Sequence, residues 1–281
     1  MKILINGKPA DITLDTEKTL GDVLSGIELW ISASGSRIRN IIMDGSDISG
    51  ETLIAVFDKG IEGIGNLEIT LSSFSELAGE ALLELSDTCR LYANASLEER
   101  KVISGAWEKS AAAHFMASDI PDIHKLASDC FAGTGISAEE LRALLEERLS
   151  EIANPLFVIN GAEALVKNIC QRMEELPLDM QTGKDQHAAE TIQLFSAIGE
   201  KLFRILLILK SEGLSMESFF MDNMPVHGFM EEFNRALDEI SEAYRNQDTV
   251  LAGDIAEYEL APRLFRFYEA LKAVKNSDFK V

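Results

Sequence analysis

Cysteine, basic residues and long apolar runs are all scarce in this chain, and each scarcity closes off a class of protein. Its 281 residues hold three cysteines, Cys89, Cys130 and Cys170, an odd number with no CxxC pair among them. A zinc ribbon and a thioredoxin-type pair are therefore excluded. Each cysteine sits among small or apolar neighbours and reads as a reduced core residue. Lys and Arg total 26 against 47 Asp and Glu, a formal charge of -21. Such a surface repels phosphate backbones and anionic headgroups, so neither nucleic acid nor a membrane surface is an expected partner. The longest apolar run, Leu202 to Leu209, is broken by Arg204 and is too short to span a bilayer. Neither a signal-peptide core near Met1 nor a lipidation or retention signal near Val281 is legible, and a cytoplasmic location is expected.

Catalytic motifs are missing as well. His114, His124, His187 and His227 have no His at i+4 and no Asp or Glu three residues before them, which excludes HExxH and ExxH metal sites. Gly183-Lys184 lacks the rest of a phosphate-binding loop, Gly63-Ile64-Gly65 precedes a strand pattern rather than a helix, and no GxSxG occurs. The expectation is a non-catalytic protein with no cofactor and no metal.

What is present is a folded chain of two regions. Hydrophobic residues make up 46% and charged residues 26%, a globular composition, and the length suits about two domains. Residues 1–73 read in period two. Met1–Ile5 and Ala10–Leu14 flank an Asn6-Gly7 turn, a strong hairpin signal. Leu20, Val23, Leu24, Ile27 and Trp30 then fall at helical intervals after a Thr16 or Thr19 cap. Ile38–Met43 reads as a strand ended by Asp44-Gly45, a connection with Gly50, Gly60, Gly63 and Gly65 follows, and Leu67–Leu71 alternates as a final strand.

The stretch from Ile12 to Leu24, ITLDTEKTLGDVL, resembles the second strand and helix start of ubiquitin-like domains, and Ile41 to Leu53, IIMDGSDISGETL, resembles their third strand and following turn. The resemblance covers about a quarter of the chain. It implies a β-grasp domain over 1–73 acting as a docking module. No diglycine tail follows Leu71, which runs on through Ser72-Ser73 into the next region, so a conjugated tag is not implied.

Residues 74–281 read in period 3.6 as an all-α helical bundle, making the whole an α+β two-domain protein. The expected helices are Phe74 to about Tyr92; the capping box Ser96-Leu97-Glu98-Glu99 to about Ala117; the capping box Ser137-Ala138-Glu139-Glu140 to about Ala153; Asn154-Pro155 to about Leu176-Pro177; Asp185 to Glu212; and a pair from Val226 to Asn246 and Asp248 to Asn276, the last interrupted and kinked at Pro262. Short connections favour antiparallel packing.

Two segments stand out as candidate sites. Met216 to Met230 concentrates four of the nine methionines with three phenylalanines; Met216, Phe219, Phe220, Met221, Met224, Phe229 and Met230 are candidate partner contacts, or else plug the end of the bundle. Asp254, Glu257 and Tyr258 fall at i, i+3 and i+4, a polar cluster for a cation or a partner's arginine, or else bonded internally to Arg245, Arg263 or Arg266. The stretch DIAEYELAP from Asp254 to Pro262 resembles the ends of an uncharacterised bacterial helical protein family, which implies no activity.

Residues 1–73 carry 6 basic and 11 acidic groups and residues 74–281 carry 20 and 36, so both regions are acidic. Together these features predict a protein–protein interaction or adaptor protein whose modules hold a partner and a second partner or a copy of itself. The alternatives are an acidic export, flagellar or secretion-type chaperone holding an amphipathic client helix, and an enzyme or metal protein built on Asp254, Glu257, Tyr258 and a distant His.

Overall fold

The computed structural model describes residues 1–10, 12–14, 16–32, 36–48, 51–216, 219–221 and 224–275. Asp11, Asp15, Ser49, Gly50, Glu217, Ser218, Asp222, Asn223 and the stretch from Asn276 onward, all of which enter the sequence reading, lie outside the described residues. The chain is mostly helical with a small mixed sheet at its N-terminal end, and it divides into two compact units, Met1–Leu149 and Ser150–Val281.

In the first unit, β1 (Lys2–Ile5) and β2 (Lys8–Pro9) pair across Asn6-Gly7, whose φ angles of 49° and 75° make the left-handed pair that matches strand twist. α1 (Leu20–Ser32) begins on a reciprocal cap: the Asp22 N–H donates to Thr19 Oγ1 at 3.2 Å and the Thr19 N–H to Asp22 Oδ2 at 2.9 Å. β3 (Ser36–Met43) and β4 (Ser46–Asp47) turn at Asp44-Gly45, with φ of 51° and 84°. α2 (Glu51–Val56) and a single 3-10 turn, Ile61–Gly63, lead to β5 (Asn66–Ser73). The strand order is β2-β1-β5-β3-β4, with β1 and β5 parallel and the other pairs antiparallel. Leu20, Val23, Leu24 and Ile27 of α1 bury against Ile3, Ile41, Leu67 and Ile69 of the sheet.

The second strand was expected over Ala10–Leu14. Instead β2 ends at Pro9, one residue before the Ala10 N–H donates to the Ile3 carbonyl at 3.0 Å. Pro9 pairs with Leu4 where no N–H is needed toward β1, and the next ladder bond comes from Ala10.

Five helices complete this part of the chain: α3 (Phe74–Ala93), α4 (Leu97–Trp107), α5 (Ala111–Asp119), α6 (Pro121–Ala132) and α7 (Ala138–Ala153). Both expected capping boxes form, with Glu99 Oε2 taking the Ser96 N–H and Glu140 Oε2 the Ser137 N–H, each at 2.8 Å. The single helix expected from Ser96 to Ala117 is two helices, because Ser110 Oγ accepts the Ala113 N–H and starts α5 anew. α6 was not read from the sequence, although Pro121 in its first turn and Gly133 at φ 73° after its end bracket it.

The second unit holds α8 (Pro155–Gly161), α9 (Glu163–Gln181), α10 (Asp185–Ser211), the ribbon β6 (Phe220–Met221) and β7 (Met224–Pro225), α11 (Val226–Arg245), α12 (Thr249–Asp254) and α13 (Ala261–Lys272). One core runs through them, with Phe195, Phe233, Leu264, Phe267 and Tyr268 among its buried members. Two expectations are corrected. The helix expected to run from Asn154 to Leu176-Pro177 is broken at Ala162 and then passes Pro177 to reach Gln181, because Met173, Leu176 and Asp179 are buried on either side of the proline. Beyond Asp248 the helix neither stops nor simply kinks at Pro262: a π-helical turn, Ile255–Leu260, precedes it, and Pro262 lies in the first turn of α13, where its missing N–H costs little.

Candidate functional site

The Met216–Met230 segment is mostly core. Phe219, Met221 and Phe229 are buried, and Met216, Met224 and Met230 are half-buried against the same core. Phe229 stacks on Phe233 with ring centroids 6.3 Å apart and meets Phe267 at 6.1 Å. Phe220, at 52% exposure, is the candidate contact that faces solvent. Six of the seven residues are thus buried or half-buried against the core of the second unit.

Asp254 and Tyr258 are exposed and Glu257 is half-buried at the junction of α12 and the π turn. The three do come together. The hydrogen bond that the Tyr258 phenol donates to the Glu257 carboxylate, then that carboxylate's charge, desolvation and the charge of Asp254 push the phenol above its ordinary value. Of the arginines weighed as internal partners, Arg263 Nη1 donates to Glu259 at 2.9 Å with Nη2 facing Glu232 at 3.5 Å, and the Arg245 Nε donates to the Ser241 carbonyl. A cavity of about 200 Å³ joins the two segments, lined by Met221, Met224 and Phe229 on the apolar side and by Tyr258, Arg263 and Arg266 on the polar side. Glu232 and Glu259 also line it, so its charges balance.

The larger concavity lies in the first unit. A groove of about 630 Å³ is lined by Val23, Gly26, Ile27 and Trp30 of α1 together with Ile5, Ala10, Ile12 and Leu14. Lys8 and Glu17 are its charged members. Trp30 counts toward the apolar stripe of α1 in the sequence, yet it is 66% exposed, and its neighbour Leu29 is 78% exposed. Val23 and Ile27 are buried floor, while Gly26 and Trp30, one turn apart, form the open edge. This site was missed in the sequence. Its one signal is a tryptophan at the end of a stripe whose other members already suffice to bury the helix.

Two buried carboxylates also went unsignalled. Glu151, at 1% exposure, takes a bidentate bond from Arg204 at 3.1 and 3.0 Å, with Lys201 Nζ at 3.7 Å. Asp179, buried at the end of α9, is bonded by His187 Nδ1 and by Lys184 Nζ at 3.0 Å, and these hold its carboxyl below the usual range. All three cysteines are buried free thiols; desolvation pushes Cys89 up to about 12 and Cys170 up to about 11. Such thiols stay protonated and unreactive near neutral pH. Among the described residues no group of three or more His, Cys, Asp or Glu side chains is placed to hold a metal ion, and no helix is long and apolar enough to cross a membrane.

Residues 1–73 match the family described as the TP0873 N-terminal domain, and residues 158–270 match a domain of unknown function, DUF8042. An uncharacterized protein of Treponema pallidum (strain Nichols) is 24% identical over 262 residues, covering 93% of this chain and 92% of that protein. No solved structure matches the chain.

Proposed function

We propose that the protein is a non-catalytic adaptor whose N-terminal region is a ubiquitin-like β-grasp module that docks a protein partner. The strand order β2-β1-β5-β3-β4 with a parallel central pair and one covering helix supports the β-grasp reading. The observation that carries the docking reading is the groove beside α1, where an apolar lining ends in a two-thirds exposed tryptophan. Contiguous exposed apolar surface of this kind marks interaction sites, and aromatic anchors supply most of the energy at such sites. The acidic surface sets the rate and selectivity of encounter with a basic partner. The C-terminal unit enters through Phe220, Asp254 and Tyr258, the exposed members of the two sequence-derived groups.

Capture from host lysate by the full-length chain, by Trp30→Ala and by Phe220→Ala tests this. A defined protein retained by the wild type and by Phe220→Ala but lost with Trp30→Ala supports docking at the groove. Equal capture by wild type and Trp30→Ala, or no capture, refutes it.

A further inference from the structure

Resting on that docking reading, we infer that the occupant of the α1 groove is a basic amphipathic helix of the partner. Gly26 is the first reason. It stands in the middle of α1, where glycine is a poor helix former, and a Cβ built on it meets no atom within 4 Å. Packing within the chain therefore does not require the glycine. Its missing side chain instead leaves the groove edge low, so that another backbone can approach α1 closely beside Trp30.

The second reason is the opposite wall. An extended peptide would add its backbone to the edge strand β2, but Pro9 presents no N–H there, and the β2 ladder is only two residues long. Recognition then falls to side chains. A helix offers an apolar row at i, i+3, i+4 and i+7, which fits a trough with a volume in the range of ordinary ligand clefts.

Charge decides the other face of that helix. Glu17 lines the groove, Asp22 and Glu28 are exposed on α1, and residues 1–73 carry a net -5 within a chain of -21. Lys8 and Glu17 balance within the lining, so the negative excess lies on the surface around the groove. A helix with Lys or Arg on its polar face is steered in, and an acidic one is repelled.

The test uses the full-length protein and three synthetic peptides of about 18 residues, five helical turns. One is a Leu/Lys amphipathic helix, one has the same composition scrambled to abolish the apolar face, and one is the Leu/Glu counterpart. Binding is followed by calorimetry and by Trp30 emission. The Leu/Lys helix is expected to bind saturably with a blue shift, to weaken as salt rises from about 50 to 300 mM, and to lose about tenfold in affinity in Gly26→Leu. Trp30→Ala, a surface change that the fold tolerates, is expected to weaken it comparably. Equal binding of the scrambled peptide, equal binding of the Leu/Glu helix, or unchanged affinity in both variants overturns the inference. If the lysate partner depends on Trp30 but binds through an extended or acidic segment, the inference fails while the docking reading stands. Loss of the Trp30 dependence in the lysate experiment removes both.

Discussion

Replacing Gly26 by Ala should make the protein more stable. α1 runs over 13 residues and Gly26 is its seventh, far from either frayed end. Its φ is not in the left-handed region, and the added methyl meets nothing within 4 Å, so no steric term opposes the change. What remains is helix propensity, worth about 1 kcal/mol between Gly and Ala in a helix interior. For a unit the size of Met1–Leu149 that corresponds to roughly 2–4 °C in Tm. In urea, with m near 1–3 kcal/mol/M, the midpoint should rise by about 0.3–1 M. The assay is simple because both tryptophans, Trp30 and Trp107, lie in that unit, one exposed and one buried, so intrinsic fluorescence follows its unfolding alone. A midpoint that falls, or does not move, means that the fold itself needs the glycine. Gly26 would then belong to the fold of α1 rather than to the groove edge. A rise in stability combined with weaker partner capture would instead mark Gly26 as a residue kept for binding.

Three further outcomes follow from the second unit. Glu151→Gln removes a buried carboxylate from Arg204 and Lys201; because those cations are partly exposed, the loss should fall at or below the lower end of the roughly 3–5 kcal/mol expected for breaking a fully buried pair, and a double-mutant cycle with Arg204→Met should give a coupling above about 1 kcal/mol. Gly253→Ala places a methyl 2.8 Å from Pro177 Cβ and 2.9 Å from its Cγ, and overpacking of that kind should destabilise by about 1–3 kcal/mol in calorimetry; a neutral result would mean that α12 is not held against α9. The carboxyl of Asp179 is depressed in the folded state, so its contribution is complete above the unfolded value near 3.9 and disappears as pH falls through the lower folded value. Asp179→Asn should therefore lower stability at neutral pH and flatten the acid limb of the stability profile below about pH 4, and parallel acid limbs would contradict the assignment.

What could be read in the sequence was local chemistry. Asn6-Gly7 and Asp44-Gly45 take the left-handed conformations that such pairs favour, and Ser96 with Glu99 and Ser137 with Glu140 close their boxes, because each signal is complete within four residues. The misreadings came where distant residues decide. Burial on both sides carries α9 through Pro177, and β2 ends at Pro9 although the alternation of Ala10, Ile12 and Leu14 continues. The Met/Phe segment was legible as apolar, but amphipathic pattern alone does not say that Phe229 turns inward to Phe233 and Phe267 while Phe220 turns out. For the cavity beside Tyr258, the link from Arg263 to Glu259 has helical spacing and could be guessed; the link to Glu232 joins separate helices and could not. The groove is assembled from residues 5 to 30 without a motif, so only its tryptophan hinted at it.

The π-helical turn at Ile255–Leu260 behaves like a spare residue threaded into an otherwise α-helical rod. A helix advances by about 100° per residue, so a spare residue left unabsorbed would shift the phase of everything beyond it. Leu264, Phe267, Tyr268 and Leu271 are buried in the core, and the wide turn keeps them in phase by absorbing that residue. The chain from Ala261 to Lys272 is therefore tolerant of many substitutions on its outer face but intolerant of a further residue upstream. Removing one residue between Ile255 and Leu260 would relax the turn to ordinary α geometry and keep the fully buried Tyr268 and Phe267 in their seats, whereas adding a further one that the turn does not absorb would swing them about a quarter-turn away. For this part of the protein, added length is a stricter constraint than composition.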